Sequence, residues 1–472
     1  MSETSALSFN QSPTVNGRRS LVFWLAGVLT VSLLLRFAGW FCYRPVAYSD
    51  TNSYHRLALA VLNGWNSLDG TRTPGYPVFL ALLQADQAGW QPRAWLAQNI
   101  LGLIITGVMF YLGWQVSGQA WFGGVMALAH TLNLGQLFFE ANLLTETLTT
   151  CWVILALAGA ALWLYHPRLH SIWLAAAIGL VAALAAITRP LFVYLPFWIL
   201  VFIALPDSKE QRPIGVKEYF LSTQASLRHN LKYIIAVLLP TLLVIGGWMA
   251  FIQEHYGDWA LTTMTGYHLV QHTGGFFEYV PDQYAALRDT YLKYRAAHIA
   301  ETGTQANTIW EAIPEMEKAS GLGFYDLSRK LTAISIQLIR QHPDLFLRNV
   351  IEGWWMFWRA PVYWSVEALR LPGLADLLHS MILLERGVLF ACNLLFVVAT
   401  IGISAQALFK PAKASLPDQW NWLLIGSIWI CSIAQTLLDH GDNPRFLVPL
   451  QSAVVLWAGW WAFKFWQRKA RA

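Results

Sequence analysis

Long apolar runs separated by short polar segments dominate the chain. A membrane-crossing helix needs ~20 mainly apolar residues, with ~17 as a practical lower limit. Runs near or above that length lie at about 21–42, 94–116, 121–139, 143–165, 172–188, 191–205, 233–252, 387–409, 420–438 and 446–463. They predict about ten spans. A loop as short as 117–120 forces its neighbours to be antiparallel.

Two polar regions interrupt this pattern. The first, 43–93, predicts two short helices. One is capped by Asp50, Asn52 or Ser53, continues through Leu57 to Leu62 and stops at Asn63-Gly64. The other starts at Thr73-Pro74 and ends near Gly89. Both are too short to span and are expected to lie in the interface. The second region, 253–386, is the longest polar stretch and is expected to form a mostly helical external domain. Within it Arg348, Glu352 and Arg359 share one helix face, while Phe346, Val350, Trp354, Phe357 and Trp358 project elsewhere. That spacing predicts a helix lying on the membrane with its tryptophans inward. The chain therefore divides into an N-terminal transmembrane module at 1–252, the external domain at 253–386, and a C-terminal transmembrane module at 387–472.

Composition strengthens the membrane reading. The chain has 472 residues, 56% hydrophobic and only 12% charged, too apolar for an ordinary soluble protein. The expected fold class is an all-α polytopic membrane protein. Twenty-five Trp and 25 Phe suit the membrane–water boundary. The formal charge of +5 does not suggest nucleic acid, and the placement of basic residues is more telling. Arg18-Arg19, the 206–232 segment with Lys209, Arg212, Lys217, Arg228 and Lys232, then Lys410 and Lys413, and finally Lys464, Arg468, Lys469 and Arg471 all fall on one side by alternation. The positive-inside rule makes that side cytoplasmic, together with both termini. The first apolar run reads as a retained signal anchor. Cys42, Cys151, Cys392 and Cys431 are far apart, with no C-x-x-C pair, so neither disulfides nor a zinc site is expected. His255, His268, His272 and His298 occur without an H-E-x-x-H motif, and no metal or other cofactor is expected.

The same alternation places a set of charged residues on the opposite face. Asp50 either caps the helix that follows it or acts as a general base beside the apolar interface. Arg72 precedes a helix start, where free N–H groups favour anions, and is suited either to holding a phosphate or to binding lipid head groups. Glu146 opens an inward-running helix, where the dipole favours negative charge. Arg189 before Pro190 and Arg445 after Pro444 each open a further span, as anchors or as ligand-binding groups. These five residues come from five segments. The span interiors are nearly free of ionisable groups, with Arg36 the main exception. A transporter would instead keep polar groups near the midplane. A one-sided cluster fits a substrate whose head group sits at the interface while its tail lies in lipid.

The order of short motifs resembles the GT-C glycosyltransferases, specifically the bacterial relatives of protein O-mannosyltransferase and lipid A aminoarabinose transferase. The motifs are Asp50 with Tyr54; Arg72 to Pro77, an R-x-P-G-Y-P-like segment; Thr145-Glu146; Thr188-Arg189-Pro190; Gly257-Asp258-Trp259 to Gly266; His342 to Leu347; and Pro444-Arg445-Phe446. The resemblance implies a GT-C-like fold in a bacterial inner membrane, with the active site facing the periplasm. It implies inverting transfer of a sugar from a polyprenyl-phosphate donor to an envelope acceptor: a glycolipid, a polysaccharide or a protein. Asp50 would be the base, Arg72, Arg189 and Arg445 the donor-phosphate ligands, and Tyr54, Tyr76, Glu146 and His268 substrate contacts. Protein mannosyltransferases carry adjacent Asp-Glu in the first loop, whereas Thr51 follows Asp50 here, which counts against a protein acceptor. The alternative is a lipid-linked sugar flippase that uses the same arginines without bond cleavage.

Overall fold

The computed structural model describes residues 15–65, 67–205, 216–409, 418–441 and 443–470. The expected cytoplasmic residues Lys209, Arg212, Lys410, Lys413 and Arg471 lie outside them. Among the described residues the regular elements are helical, and a single isolated bridge pairs Val46 with Asn142. Seven helices are long and apolar enough to cross a membrane: Gly17–Cys42, Trp90–Ser117, Glu146–Tyr165, Ser226–Tyr256, Pro372–Gln406, Gln419–Leu438 and Asn443–Lys469. They are compatible with a multi-pass membrane protein. Ile172–Thr188 and Pro190–Ala204 are shorter apolar helices.

The apolar run at 121–139 is not one continuous helix. It forms α5 (Ala120–Thr131) and α6 (Leu134–Ala141), which follow α1 (Val15–Cys42), α2 (Ser49–Leu62), α3 (Gly75–Leu82) and α4 (Trp90–Ser117). The break falls at Asn133, whose side chain accepts a hydrogen bond from Gln136 N at 2.9 Å and so starts a new helix. Mean apolarity hides such a cap.

Next come α7 (Glu146–Tyr165), α8 (Ile172–Thr188), α9 (Leu195–Ala204), α10 (Val216–Thr241) and α11 (Gly247–Tyr256). Pro240 supplies no backbone N–H, and a π turn at Leu242–Gly246 carries α10 on into α11. Helices α12 (Thr265–Thr273), α13 (Ala285–Thr302), α14 (Thr308–Ser320) and α15 (Phe324–Gln341) share a core of their own, which includes Tyr267, Phe277, Tyr291, Met316 and Leu331. Helix α16 (Pro343–Phe357) exposes Leu347, Ile351 and Trp355 in an i, i+4, i+8 stripe. Its Trp354 turns the other way and stacks on Trp429 at 6.1 Å. Trp354 and Trp358, expected inward, both pack against the main core, while Trp355 faces outward.

The chain ends with α17 (Ala375–Phe409), α18 (Gln419–Leu438) and α19 (Val448–Lys469). Helix α17 begins well before the apolar run at 387, so residues 375–386 continue a bundle helix. The main core draws buried residues from α4, α7, α8, α9, α18 and α19, among them Leu157, Ala182, Ile199, Ile428 and Trp457.

Candidate functional site

Asp50 lies in the first turn of α2, but it is not the cap. Tyr48 holds the cap position, and Thr51 Oγ1 accepts its N–H at 2.9 Å, while both Asp50 oxygens are left for other partners. Arg72 sits on the loop between α2 and α3. Asp69 Oδ1 accepts hydrogen bonds from Thr71 N at 3.0 Å and Thr71 Oγ1 at 2.6 Å. Gly70 turns the chain there with φ +65°, in a space where an added Cβ would lie 2.7 Å from Ile252 Cδ1. Only glycine accepts both the torsion and the crowding without strain. Thr263 N then donates to Gly70 O at 2.9 Å, tying this loop to the segment before α12.

The other three charges occupy helix ends. Glu146 is the first residue of α7. Arg189 follows α8 in extended backbone, φ −139° and ψ 114°, as a residue before proline requires. Arg445 lies in the short 3₁₀ turn Asn443–Leu447 that leads into α19.

These five side chains form one alternating row. Arg72 Nη2 donates to Asp50 Oδ1 at 2.7 Å, and Arg445 Nη1 donates to Asp50 Oδ2 at 3.1 Å. Arg445 Nε donates to Glu146 Oε1, which also accepts from Arg189 Nη2 at 2.9 Å. Three guanidinium groups thus meet two carboxylates, leaving one net positive charge. Removing charges from water is costly, and such a row holds only because each ion faces opposite charge. Burial is the largest influence on the Asp50 carboxyl and pushes its pKa upward. Arg72, Arg445 and Arg189 together outweigh it and hold the carboxyl below its ordinary value. Aromatic rings flank the row: the Arg72 guanidinium lies 5.5 Å from the Tyr54 ring centre, and that of Arg189 4.6 Å from Phe446.

The row opens on a cavity of about 380 Å³. Asp50, Arg72, Arg189 and Arg445 line one part of it, while Leu191, Val193, Leu261, Leu269, Leu438 and Phe446 form an apolar wall. Arg189 Nη1 is buried with no hydrogen-bond partner among the described residues, an unmet donor beside a cationic pocket. This arrangement suits an anion attached to an apolar tail.

The structure sorts the sequence candidates. Asp50, Tyr54, Arg72, Arg189, His268 and Arg445 line the cavity. Glu146 does not: it is wholly buried behind the arginines it pairs. Tyr76 is also wholly buried. Its hydroxyl donates to Gln98 Oε1 at 2.9 Å, and its ring packs at 5.1 Å against Tyr54. Both residues expected as substrate contacts therefore brace the groups that face the cavity.

Asp439 was not singled out by its sequence position, yet it lines the cavity and lies 3.3 Å from His268 Nδ1. Burial pushes its pKa upward most strongly, but His268, the Gly441 N–H and His272 together hold it below the ordinary range. Its signal was the dense polar run 439–445 between two apolar runs. Gln98 gave no signal. It is wholly buried, and its Nε2 donates to Glu140 O at 2.8 Å and Asn142 O at 2.9 Å just before α7. Arg36, the main charged exception expected inside the spans, pairs with buried Glu140, its Nε donating to Oε2 at 2.8 Å.

No family model, curated protein or solved structure matches the chain. The fold and cavity define a helical protein compatible with multiple membrane crossings, with a partly buried cationic row at the ends of several helices.

Proposed function

We propose that the protein is an inverting, GT-C-like glycosyltransferase that moves a sugar from a polyprenyl-phosphate donor to an envelope acceptor. The observation that carries this reading is Asp50, gripped by Arg72 and Arg445 where the charged and apolar parts of one cavity meet. In this reading α5 with α6, α8 and α9 join the seven long helices to give about ten crossings of a bacterial inner membrane. Both termini are cytoplasmic, and the cavity faces the periplasm.

The donor's polyprenyl tail follows the apolar wall, and its phosphate takes up the spare positive charge. Phosphate oxygens compete with Asp50 for Arg72 and Arg445 and so free a carboxylate oxygen. The acceptor hydroxyl oxygen bonds to the anomeric carbon as the bond from that carbon to the phosphate oxygen breaks. The electron pair leaves with the phosphate, where the arginines stabilise it, and Asp50 takes the acceptor proton. One displacement with one base inverts the configuration.

Reconstituted vesicles supplied with a polyprenyl-phosphate sugar and membrane glycolipids test the reading. It requires a new glycoside and free polyprenyl phosphate. Movement of the lipid-linked sugar across the bilayer without glycoside formation identifies a flippase instead.

A further inference from the structure

A second cavity, of about 420 Å³, adjoins the first, and Thr71 and Arg72 line both. Its volume falls in the small-molecule range of ~300–1,000 Å³. It lies between the loop carrying Arg72 and the α12–α15 module. Tyr256, Trp310, Phe324 and Tyr325 line it, all only partly buried. Arg56 and Asp69 supply its charged edge, joined at 2.6 Å, with side chains 59% and 30% exposed. This makes the second cavity more water-accessible at its charged edge than the row around Glu146.

We infer that this second cavity is a saccharide-binding site that offers an acceptor hydroxyl to Asp50. The acceptor role rests on the transfer reading above; the binding site rests on the lining alone. Aromatic faces accept the C–H faces of sugar rings, while a carboxylate beside a guanidinium matches neighbouring hydroxyls, which both donate and accept. An extended peptide fits less well, because it needs free backbone groups to pair with. On this loop those groups are in use: Leu68 O accepts from Tyr256 Oη at 3.1 Å, Gly70 O from Thr263 N at 2.9 Å, and Thr71 O from Thr262 Oγ1 at 2.9 Å, while Thr71 N donates to Asp69. An apolar tail fits less well beside the Arg56–Asp69 pair. Asp50 is bonded to Arg72, which separates the two cavities. A hydroxyl presented from the second cavity therefore reaches the carboxylate past Arg72, the residue that lines both cavities.

Saturation-transfer NMR on the full chain in lipid nanodiscs tests this, with the methyl glycosides of glucose, galactose and mannose as probes. At least one glycoside should show ring-proton saturation. Trp310→Ala and Arg56→Ala should each weaken that binding by ~10-fold or more; Arg56 is solvent-exposed, so its variant should retain the fold. Arg189→Ala should leave glycoside binding intact while losing retention of undecaprenyl phosphate. No saturation from any glycoside, or saturation unchanged in both cavity variants, overturns the inference. Glycoside binding by a wild-type chain that does not retain undecaprenyl phosphate keeps the saccharide site and removes the transfer reading.

Discussion

Asp50 and Arg445, 395 positions apart in sequence, meet in one ion pair, with Arg445 Nη1 donating to Asp50 Oδ2 at 3.1 Å. Arg445 also holds Glu146 through Nε. One side chain from the last helix hairpin thus ties together the first loop and the start of α7. Its position sets where both carboxylates stand.

Glu146→Gln leaves Arg189 and Arg445 facing each other without the charge between them, and raises the net charge of the row from +1 to +2. Breaking a buried pair by removing one partner costs about 3–5 kcal/mol. Thermal unfolding of the purified variant in detergent should show a loss of that order. Glu146 does not face the cavity, so destabilisation should accompany any loss of activity.

Asp50 has a folded pKa held below its ordinary 3.8. The native state therefore favours the ionised form. Its contribution to stability is complete above the ordinary value and is lost as pH falls through it toward the depressed folded value. A profile of kcat/KM against pH reports the free enzyme's base. Asp50 should contribute no loss of activity between pH 5 and 7 on this account, and an acid limb only below about 4.

His272 on α12 behaves with the same sign but in a higher window. Burial, with the neighbouring His440 acting in the same direction and Asp439 opposing, lowers its pKa from 6.5 to about 4. Folding favours the neutral ring, so stability is full above pH 6.5 and declines as pH falls toward 4. Melting temperature measured across that range should fall more steeply in the wild type than in His272→Gln.

Glu140→Gln strands the Arg36 guanidinium among Ser32, Thr131 and the bundle interior. Unfolding should be easier by about 3–5 kcal/mol. The paired change Arg36→Leu with Glu140→Leu should recover most of that loss, since apolar residues of similar volume often replace a buried pair without cost. Denaturant unfolding of the single and double variants checks both statements.

The charged row was legible in the sequence because ions are scarce in apolar segments, and Asp50, Arg72, Glu146, Arg189 and Arg445 each stood at a helix end. Their pairing was not, because alternation assigns a face and not a neighbour. Asp50 read equally well as a cap, but the cap position falls on Tyr48, two residues earlier. Tyr76 and Tyr54 have the same chemistry and neighbouring motifs, so nothing in spacing marks the first as buried support and the second as cavity lining. Arg36 stood out as an isolated charge. Its partner Glu140 did not, since it falls after an apolar run that looked continuous but is broken at Asn133.

The central claim is that Asp50 removes the acceptor proton during sugar transfer. Turnover of purified Asp50→Asn with a polyprenyl-phosphate sugar and membrane glycolipid acceptors measures it most directly. Asparagine keeps the side-chain shape but loses the basic oxygen. The account predicts turnover reduced by ~10²–10⁴-fold with undecaprenyl phosphate still retained by the variant. Near wild-type turnover would contradict it.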